Sequence, residues 1–202
     1  VAAVIADSKL SALEGAQAVT VEYEPLPEVY TPEQAMSEGS YQIHEGTQNL
    51  CYTHPQIKGD AQAALANSDV VVEAEFSTQL IHQSPLEPEA SVAYFEAQPD
   101  DDEPQLVVVG RSIFIHYHLK VLQDALGWEN MRYEQAFIGG QFGIKMDITA
   151  EGLAAAAALH VRLPVRYVCS LTESMWITTK RHPFDMKVQL GAGRDGKLTG
   201  YS

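Results

Sequence analysis

A glycine-rich segment, Ile138–Lys145 (IGGQFGIK), constrains the fold of this 202-residue chain more than any other feature. It lies between a strand-like stretch and the predicted start of a helix. Glycine allows a tight turn and a close approach of backbone N–H groups to a ligand, and a following helix N-terminus favours an anion. The spacing is not GxGxxG, and Lys145 is followed by Met146 where a Walker loop needs Ser or Thr. The pattern therefore leaves two alternatives open, an anion-binding loop and a tight turn without a ligand.

Helix and strand patterns alternate along the chain, which predicts an α+β (mixed α/β) fold. The Gly-, Thr-, His- and Pro-rich stretch 38–59 is the best candidate for a domain boundary. The acidic run Asp100–Glu103 is predicted to be a solvated hairpin tip instead of a metal site. The predicted strands are 1–6, 19–23, 70–76, 90–95, 105–109, 165–168 and 186–190. Two helices are predicted to begin directly after Ser8 and Thr31, and three more to span 60–67, 113–126 and 150–160. Residues 194–197 are predicted to form a hairpin turn.

Charge and cysteine content restrict the possible partners. The chain has 27 Asp and Glu against 13 Lys and Arg, a net charge of −14, so nucleic acid is not an expected partner. No apolar run reaches the roughly 18 residues of a membrane span. Cys51 and Cys169 lie in no CxxC pattern, which argues against a zinc or iron–sulfur site and favours a cytoplasmic location. The chain lacks a signal peptide and begins in a strand-like run, so we expect it to be an excerpt of a longer protein.

The sequence contains residues that could act as acids or bases or bind a metal, but its spacing does not bring any two of them into one site. His116 and His118 stand two positions apart on a predicted helix, so they point in different directions and cannot share a metal. Glu87, Glu89 and Glu151 could supply an acid–base pair, but nothing in the sequence brings two of them together. Prolines near Glu87 on both sides fix the backbone there and favour a structural role.

Five motifs occur in the order found in one family of enzymes: Pro85-Leu86-Glu87-Pro88, Arg111-Ser112-Ile113, Gly139-Gly140-Gln141-Phe142-Gly143, Leu163-Pro164-Val165-Arg166 and Arg181-His182-Pro183-Phe184. With them, the chain resembles the molybdopterin-binding large subunit of the xanthine oxidase family of molybdenum hydroxylases, which includes aldehyde oxidoreductases and xanthine dehydrogenases. The resemblance implies that 1–59 is the C-terminal part of an α/β hammerhead domain plus a connection, and that 60–202 is the N-terminal part of the first molybdenum-cofactor-binding domain.

The resemblance implies a cofactor site at the glycine loop. It places Gly140, Gln141, Phe142 and Gly143 against a molybdenum–molybdopterin cofactor, in the pterin dinucleotide form. It places iron–sulfur clusters, and in some members a flavin, in another domain or subunit. The glutamate base of the family lies downstream of these motifs, so no catalytic residue and no metal ligand are expected within this chain, which is predicted to be inactive by itself.

The resemblance also implies a substrate class. Ile113 stands where purine-oxidising members have Gln, and Met146 stands where they have Glu, which favours aldehydes or N-heteroaromatics, with Tyr117 also facing the substrate channel. We therefore expect a hydroxylase that draws its oxygen from water and forms a homo-oligomer. Purines are the alternative substrates. Two alternative interpretations of the chain stay open. One is a non-catalytic scaffold module with the same fold, and the other is a small α+β protein whose glycine loop is merely a turn.

Overall fold

The computed structural model describes residues 2–99 and 101–202, which form six α-helices and seven β-strands. The predicted α+β class is confirmed. Within these residues no helix is both long and apolar enough to cross a membrane. The helices are α1 (Lys9–Ala18), α2 (Pro32–Met36), α3 (Ala61–Ala66), α4 (Ile115–Leu126), α5 (Ala150–Val161) and α6 (Leu171–Ile177). The strands are β1 (Val70–Thr78), β2 (Ala90–Gln98), β3 (Asp101–Gly110), β4 (Met131–Gln135), β5 (Val165–Val168), β6 (Phe184–Ala192) and β7 (Leu198–Tyr201).

The chain divides into two compact units. The first unit comprises the residues up to Glu73 together with Val188–Ser202, and the second comprises Ala74–Lys187. This division reflects contacts within the chain, whereas the predicted division into 1–59 and 60–202 concerns family domains. The predicted domain boundary therefore stays a prediction.

The second unit contains a four-stranded mixed sheet in the order β4-β3-β2-β5. Strand β2 runs antiparallel to both β3 and β5, so that Val92 lies opposite Val109 on one side and Arg166 on the other. Strands β3 and β4 are parallel, with Val108 opposite Tyr133. Helix α4 forms the crossover between them, since parallel neighbours cannot be joined by a short hairpin.

The core of the second unit lies between this sheet and α5. Ala154, Ala155 and Ala158 are fully buried and pack with Leu106 and Val108 of β3. Alanine side chains allow a close approach of helix to sheet, and the helix predicted over 150–160 is confirmed. Helix α4 ends as predicted, because its C-cap Gly127 adopts a left-handed conformation with φ 62°.

The first unit confirms helix starts that the capping residues predicted. The Ser8 side chain accepts a hydrogen bond from the backbone N–H of Ser11, and Thr31 forms a capping box with Gln34. The hairpin between β6 and β7 also forms at the predicted turn, where the Gly196 N–H donates to the carbonyl of Gly193 at 2.9 Å. Strands β6 and β7 belong to a three-stranded sheet with the strand order β1-β6-β7.

Two strand predictions are wrong. Within the described residues, neither 2–6 nor 19–23 forms a strand, and Ile5 and Val21 are 42% and 39% exposed. Alternating apolar residues form a strand only where another strand pairs with them, and none in the described part of the chain does. Of the predicted acidic hairpin tip, Asp100 and the side chains of the next two aspartates lie outside the described residues.

Helix α6 was not predicted from the sequence. Its N-cap, Ser170, forms a capping box with Glu173, and this Ser-x-x-Glu spacing is a signal that could have located the helix start. The helix is only seven residues long, which hides its periodicity.

Candidate functional site

The glycine loop begins where two parallel strands end. The Ala136 N–H, just after β4, donates to the carbonyl of Gly110 at the end of β3, at 2.8 Å. Arg111 and the loop therefore leave the same edge of the sheet. In open sheets with parallel strands, the carboxyl ends of the strands are the usual place for a ligand.

The carboxylate of Glu87 anchors this loop. Its Oε2 atom accepts hydrogen bonds from the Gly139 N–H at 2.7 Å and from the Lys145 Nζ at 3.1 Å, and it forms an ion pair with Arg111 Nη1 at 3.1 Å. Burial by itself raises the pKa of this carboxyl, but the bonds from Gly139 and Lys145 and the charge of Arg111 outweigh it and hold the pKa below its usual value. Glu87 is therefore an ionised anchor, which agrees with the structural role expected from its neighbouring prolines.

Lys145 closes the loop from its other end. Its side chain is only 1% exposed, and its ammonium group donates to the backbone carbonyls of Glu87 at 2.8 Å and Gly140 at 2.9 Å, as well as to the Glu87 carboxylate. All three protons of the ammonium group have an acceptor. Lys145 is thus a structural cation that joins the two ends of the loop.

The loop backbone is strained. Gly140, Phe142 and Gly143 have φ values of 112°, 47° and 96°, and positive φ is unfavourable for a bulky residue such as Phe142. A Cβ atom on Gly139 would lie 2.9 Å from the Cβ of Glu87, so the anchor itself requires glycine there. Backbone strain of this kind persists only where the surrounding structure enforces it, and it clusters at ligand sites.

The loop presents unused hydrogen-bond donors. Among the described residues, the backbone N–H groups of Gly140, Gln141 and Phe142 donate to no acceptor, while the Gly143 N–H donates to the side chain of Gln141 at 2.8 Å. The Phe142 side chain is 72% exposed. The loop therefore offers three adjacent donors to a ligand that carries acceptors.

The expected contribution of a helix N-terminus to this loop is wrong. Only a single 3-10 turn, Ile144–Met146, follows the loop directly, and α5 does not begin until Ala150. The short turn has no aligned peptide dipoles of consequence. Any anion at the loop is held by the loop amides and not by a helix.

Glu151 stabilises the junction behind the loop. This buried carboxylate accepts hydrogen bonds from the Arg111 N–H at 3.0 Å and from the Tyr133 hydroxyl at 3.3 Å. Burial, and then the Glu151 charge and hydrogen bond, raise the pKa of Tyr133 well above its usual range. A Cβ on Gly110 would lie 2.4 Å from the Cγ of Glu151, so the chain needs glycine at that position.

Glu89 carries a buried carboxylate that differs from those of Glu87 and Glu151 in its hydrogen bonding. It is 4% exposed, and neither carboxylate oxygen has a hydrogen-bond partner among the described residues. Its backbone carbonyl accepts from the Cys169 N–H at 2.8 Å. Burial, together with the nearby charges of Glu89 and Glu173, raises the pKa of the Cys169 thiol to about 11, although Tyr167 and Arg111 oppose the shift. Cys169 is therefore protonated and a poor nucleophile at neutral pH.

The residues predicted to line a substrate pocket all lie near solvent. Ile113 is 46% exposed, Tyr117 63% and Met146 42%. Buried His118 of α4 bonds through Nε2 to the backbone carbonyl of Met146 at 2.7 Å, whereas His116 is exposed. The two histidines thus diverge as predicted, and His118 holds the end of the loop against α4.

The profile of the molybdopterin cofactor-binding domain family matches residues 43–202. This chain belongs to that family. It is 36% identical over 187 residues to the nicotinate dehydrogenase large molybdopterin subunit of Eubacterium barkeri, which covers 92% of this chain and 43% of that subunit. It is 33% identical to the xanthine dehydrogenase molybdenum-binding subunit of Escherichia coli O157:H7, covering 100% of this chain and 26% of that subunit.

The fold of this domain agrees with a solved relative. The aldehyde oxidoreductase from Desulfovibrio gigas superposes with a TM-score of 0.87 at 32% identity, over 96% of this chain and 21% of that one. The chain thus spans less than half the length of each of these three relatives. The family resemblance inferred from the glycine loop and its companion motifs is confirmed.

Proposed function

We propose that Gly140, Gln141, Phe142 and Gly143 form part of the surface that holds the molybdopterin cofactor. One observation carries this proposal: three adjacent loop amides have no acceptor among the residues that the structure describes, and the strained loop that contains them is fixed by Glu87. A molybdopterin carries phosphate and carbonyl oxygens that accept such bonds. The residues present therefore fit the group. When bound, the cofactor supplies redox chemistry, a hydroxylation whose oxygen comes from water.

The contribution of this chain is to bind and orient. The Gln141 side chain folds back onto the Gly143 N–H, so its role is to shape the loop, while its own backbone N–H has no acceptor among the described residues. Lys145 and Glu87 fix the positions of the loop amides without taking part in proton transfer, because all three ammonium protons of Lys145 have acceptors and Glu87 Oε2 accepts from both Gly139 and Lys145. The activity requires residues from outside this chain, so the domain by itself is inactive.

We further propose that the whole protein oxidises aldehydes or apolar N-heteroaromatics in preference to purines. Ile113 and Met146 present apolar side chains, and a pocket that recognises purines needs paired polar groups. The relatives are named for nicotinate, xanthine and aldehyde oxidation, so their names do not select among these substrates. The full protein works with iron–sulfur and flavin domains or subunits as a homo-oligomer in the cytoplasm.

The cofactor proposal is tested by the variant Gly143→Val in the full-length protein. A valine at φ 96° strains the loop, and its Cβ would lie 3.7 Å from the Nε2 atom of Gln83. The control is Gly196→Val, which forces the same residue type into a left-handed position, φ 81°, at the hairpin turn. Molybdenum content measured by mass spectrometry should fall for Gly143→Val and stay near the wild-type level for Gly196→Val.

Equal molybdenum content in both variants would contradict the placement of the cofactor at this loop. The substrate proposal is tested separately, by comparing kcat/KM for an aromatic aldehyde and for xanthine in the full-length protein. We expect the aldehyde to be the better substrate, and a higher kcat/KM for xanthine would refute that choice.

A further inference from the structure

The segment His82–Pro85 borders the glycine loop. A Cβ atom placed on Gly143 would lie 3.7 Å from the Nε2 atom of Gln83, and a Cβ on Gly140 would lie 3.2 Å from the Cβ of Pro85. The side-chain amide of Gln83 therefore runs alongside the part of the loop that faces the proposed cofactor. Gln83 belongs to none of the family motifs in the sequence.

The amide oxygen of Gln83 is buried and has no hydrogen-bond partner in the described part of the chain. Leaving such an acceptor unpaired costs about 1–3 kcal/mol, and native proteins rarely retain one without a reason. Its place beside Gly143 suggests that the missing partner is a donor on the ligand.

The turn that carries Gln83 is held in a strained shape. Ser84 has φ 49° and Phe142 has φ 47°, and these are two of the three non-glycine residues with positive φ in residues 2–99 and 101–202. The Nδ1 atom of His82 accepts from the Ser84 N–H at 3.0 Å, so Nε2 carries the ring proton and donates to the Ser174 hydroxyl at 3.4 Å. Strain on both sides of one site indicates that the two segments are shaped for the same ligand.

We propose that Gln83 is a further cofactor-binding residue, whose amide oxygen accepts a hydrogen bond from an N–H group of the pterin ring. This inference rests on the proposed function. The loop amides provide donors only, which would suit phosphate as well as pterin. The side-chain amide of Gln83, whose nitrogen would lie 3.7 Å from a Cβ on Gly143, adds an acceptor at the end of the loop. Donors and an acceptor together match the edge of a pterin, which carries both N–H groups and carbonyl oxygen.

The test uses Gln83→Met in the full-length protein. Methionine keeps the length and flexibility of glutamine but removes the acceptor. Gln56→Met is the control, because Gln56 is exposed and lies outside the loop and its neighbours. Two quantities are measured: the pterin retained after dialysis, read by the fluorescence of its oxidised form, and the thermal unfolding midpoint of protein produced without cofactor.

We expect Gln83→Met to bind the pterin about tenfold more weakly than wild type, the effect of losing one buried hydrogen bond. The unfolding midpoint of the cofactor-free variant should not fall, because the substitution removes an unpaired acceptor from the empty site. Gln83→Glu, which keeps an acceptor, should retain more pterin than Gln83→Met.

Unchanged pterin retention in Gln83→Met would overturn this inference and leave the proposed function intact. A lowered midpoint without loss of pterin would also overturn it, because Gln83 would then be a structural residue. Wild-type protein that contains neither pterin nor molybdenum would refute the proposed function itself, and this inference with it.

Discussion

The N-terminal stretch 2–60 and the second unit of this chain contain similar sequence patterns but differ in burial. Within 2–60 no residue is buried, and α1 buries none of its side chains although its N-cap forms as predicted. In the second unit, the sheet and α5 bury a continuous cluster that includes Leu106, Val108 and Leu122. Local sequence patterns therefore predict helix starts in both regions. Apolar patterns form strands and a buried core only in the second unit, where other elements of the chain pack against them.

The same contrast applies to charged groups. Lys145 is enclosed and bonded to three acceptors, whereas Lys120 forms an exposed pair with Asp124 one turn along α4. Burial makes every lost hydrogen bond costly, since water cannot replace it. The difference in burial and hydrogen bonding between these two lysines shows how firmly Lys145 holds the loop.

The largest expected effect comes from truncating the core. Leu106→Ala removes a fully buried side chain and should lower the free energy of unfolding by about 2–5 kcal/mol. Leu13→Ala removes a side chain that is 51% exposed on α1 and should change it by less than about 0.5 kcal/mol. Urea denaturation of each variant measures both values. Equal losses would show that the N-terminal stretch packs as tightly as the second unit.

Removal of the loop lysine should have the next largest effect. Lys145→Met leaves the carbonyls of Glu87 and Gly140 without a donor, which costs about 1–3 kcal/mol of unfolding free energy. The matched control Lys120→Met breaks only an exposed pair and should leave the unfolding midpoint unchanged. A midpoint for Lys145→Met equal to that of the control would show that the loop does not depend on its buried cation.

Acid should weaken the same anchor. Because the folded-state pKa of Glu87 is lowered, its contribution to stability is present above the ordinary glutamate pKa and is lost as the pH falls through the lowered value. The stability advantage of wild type over Glu87→Gln should therefore be constant near neutrality and shrink in acid. Urea midpoints of both proteins between pH 7 and about pH 3 measure it. A difference that does not change with pH would show that the carboxyl is not ionised in the folded protein.

The smallest expected effect concerns the wrongly predicted strand. Val21→Pro would cost about 3 kcal/mol or more if 19–23 were paired within a sheet. In this structure the segment forms no strand and Val21 is partly exposed, so the change in unfolding free energy should be below about 0.5 kcal/mol. A large loss would show that this segment is a paired strand after all.

Much of the second unit could be predicted from the sequence, because its signals are local. The left-handed C-cap at Gly127, the alanine face of α5 and the alternating burial at the start of β2 each follow from a few neighbouring residues. The glycine loop was also recognisable, since glycine spacing predicts where the backbone turns tightly. The strand signals of 2–6 and 19–23 were equally local, but their outcome depended on a partner.

By itself, the sequence determined the class of the fold, the capped helix starts and the family that the loop motifs indicate. Only the tertiary structure decided that Glu87 anchors the loop, because its bonds to Gly139 and Lys145 join residues 52 and 58 positions apart. It also decided that Gln83 lies beside Gly143, with an oxygen that has no partner within residues 2–99 and 101–202. Such contacts leave no pattern in neighbouring residues: they arise from the crossover that brings distant strand ends to one edge of the sheet, and from the exclusion of water there.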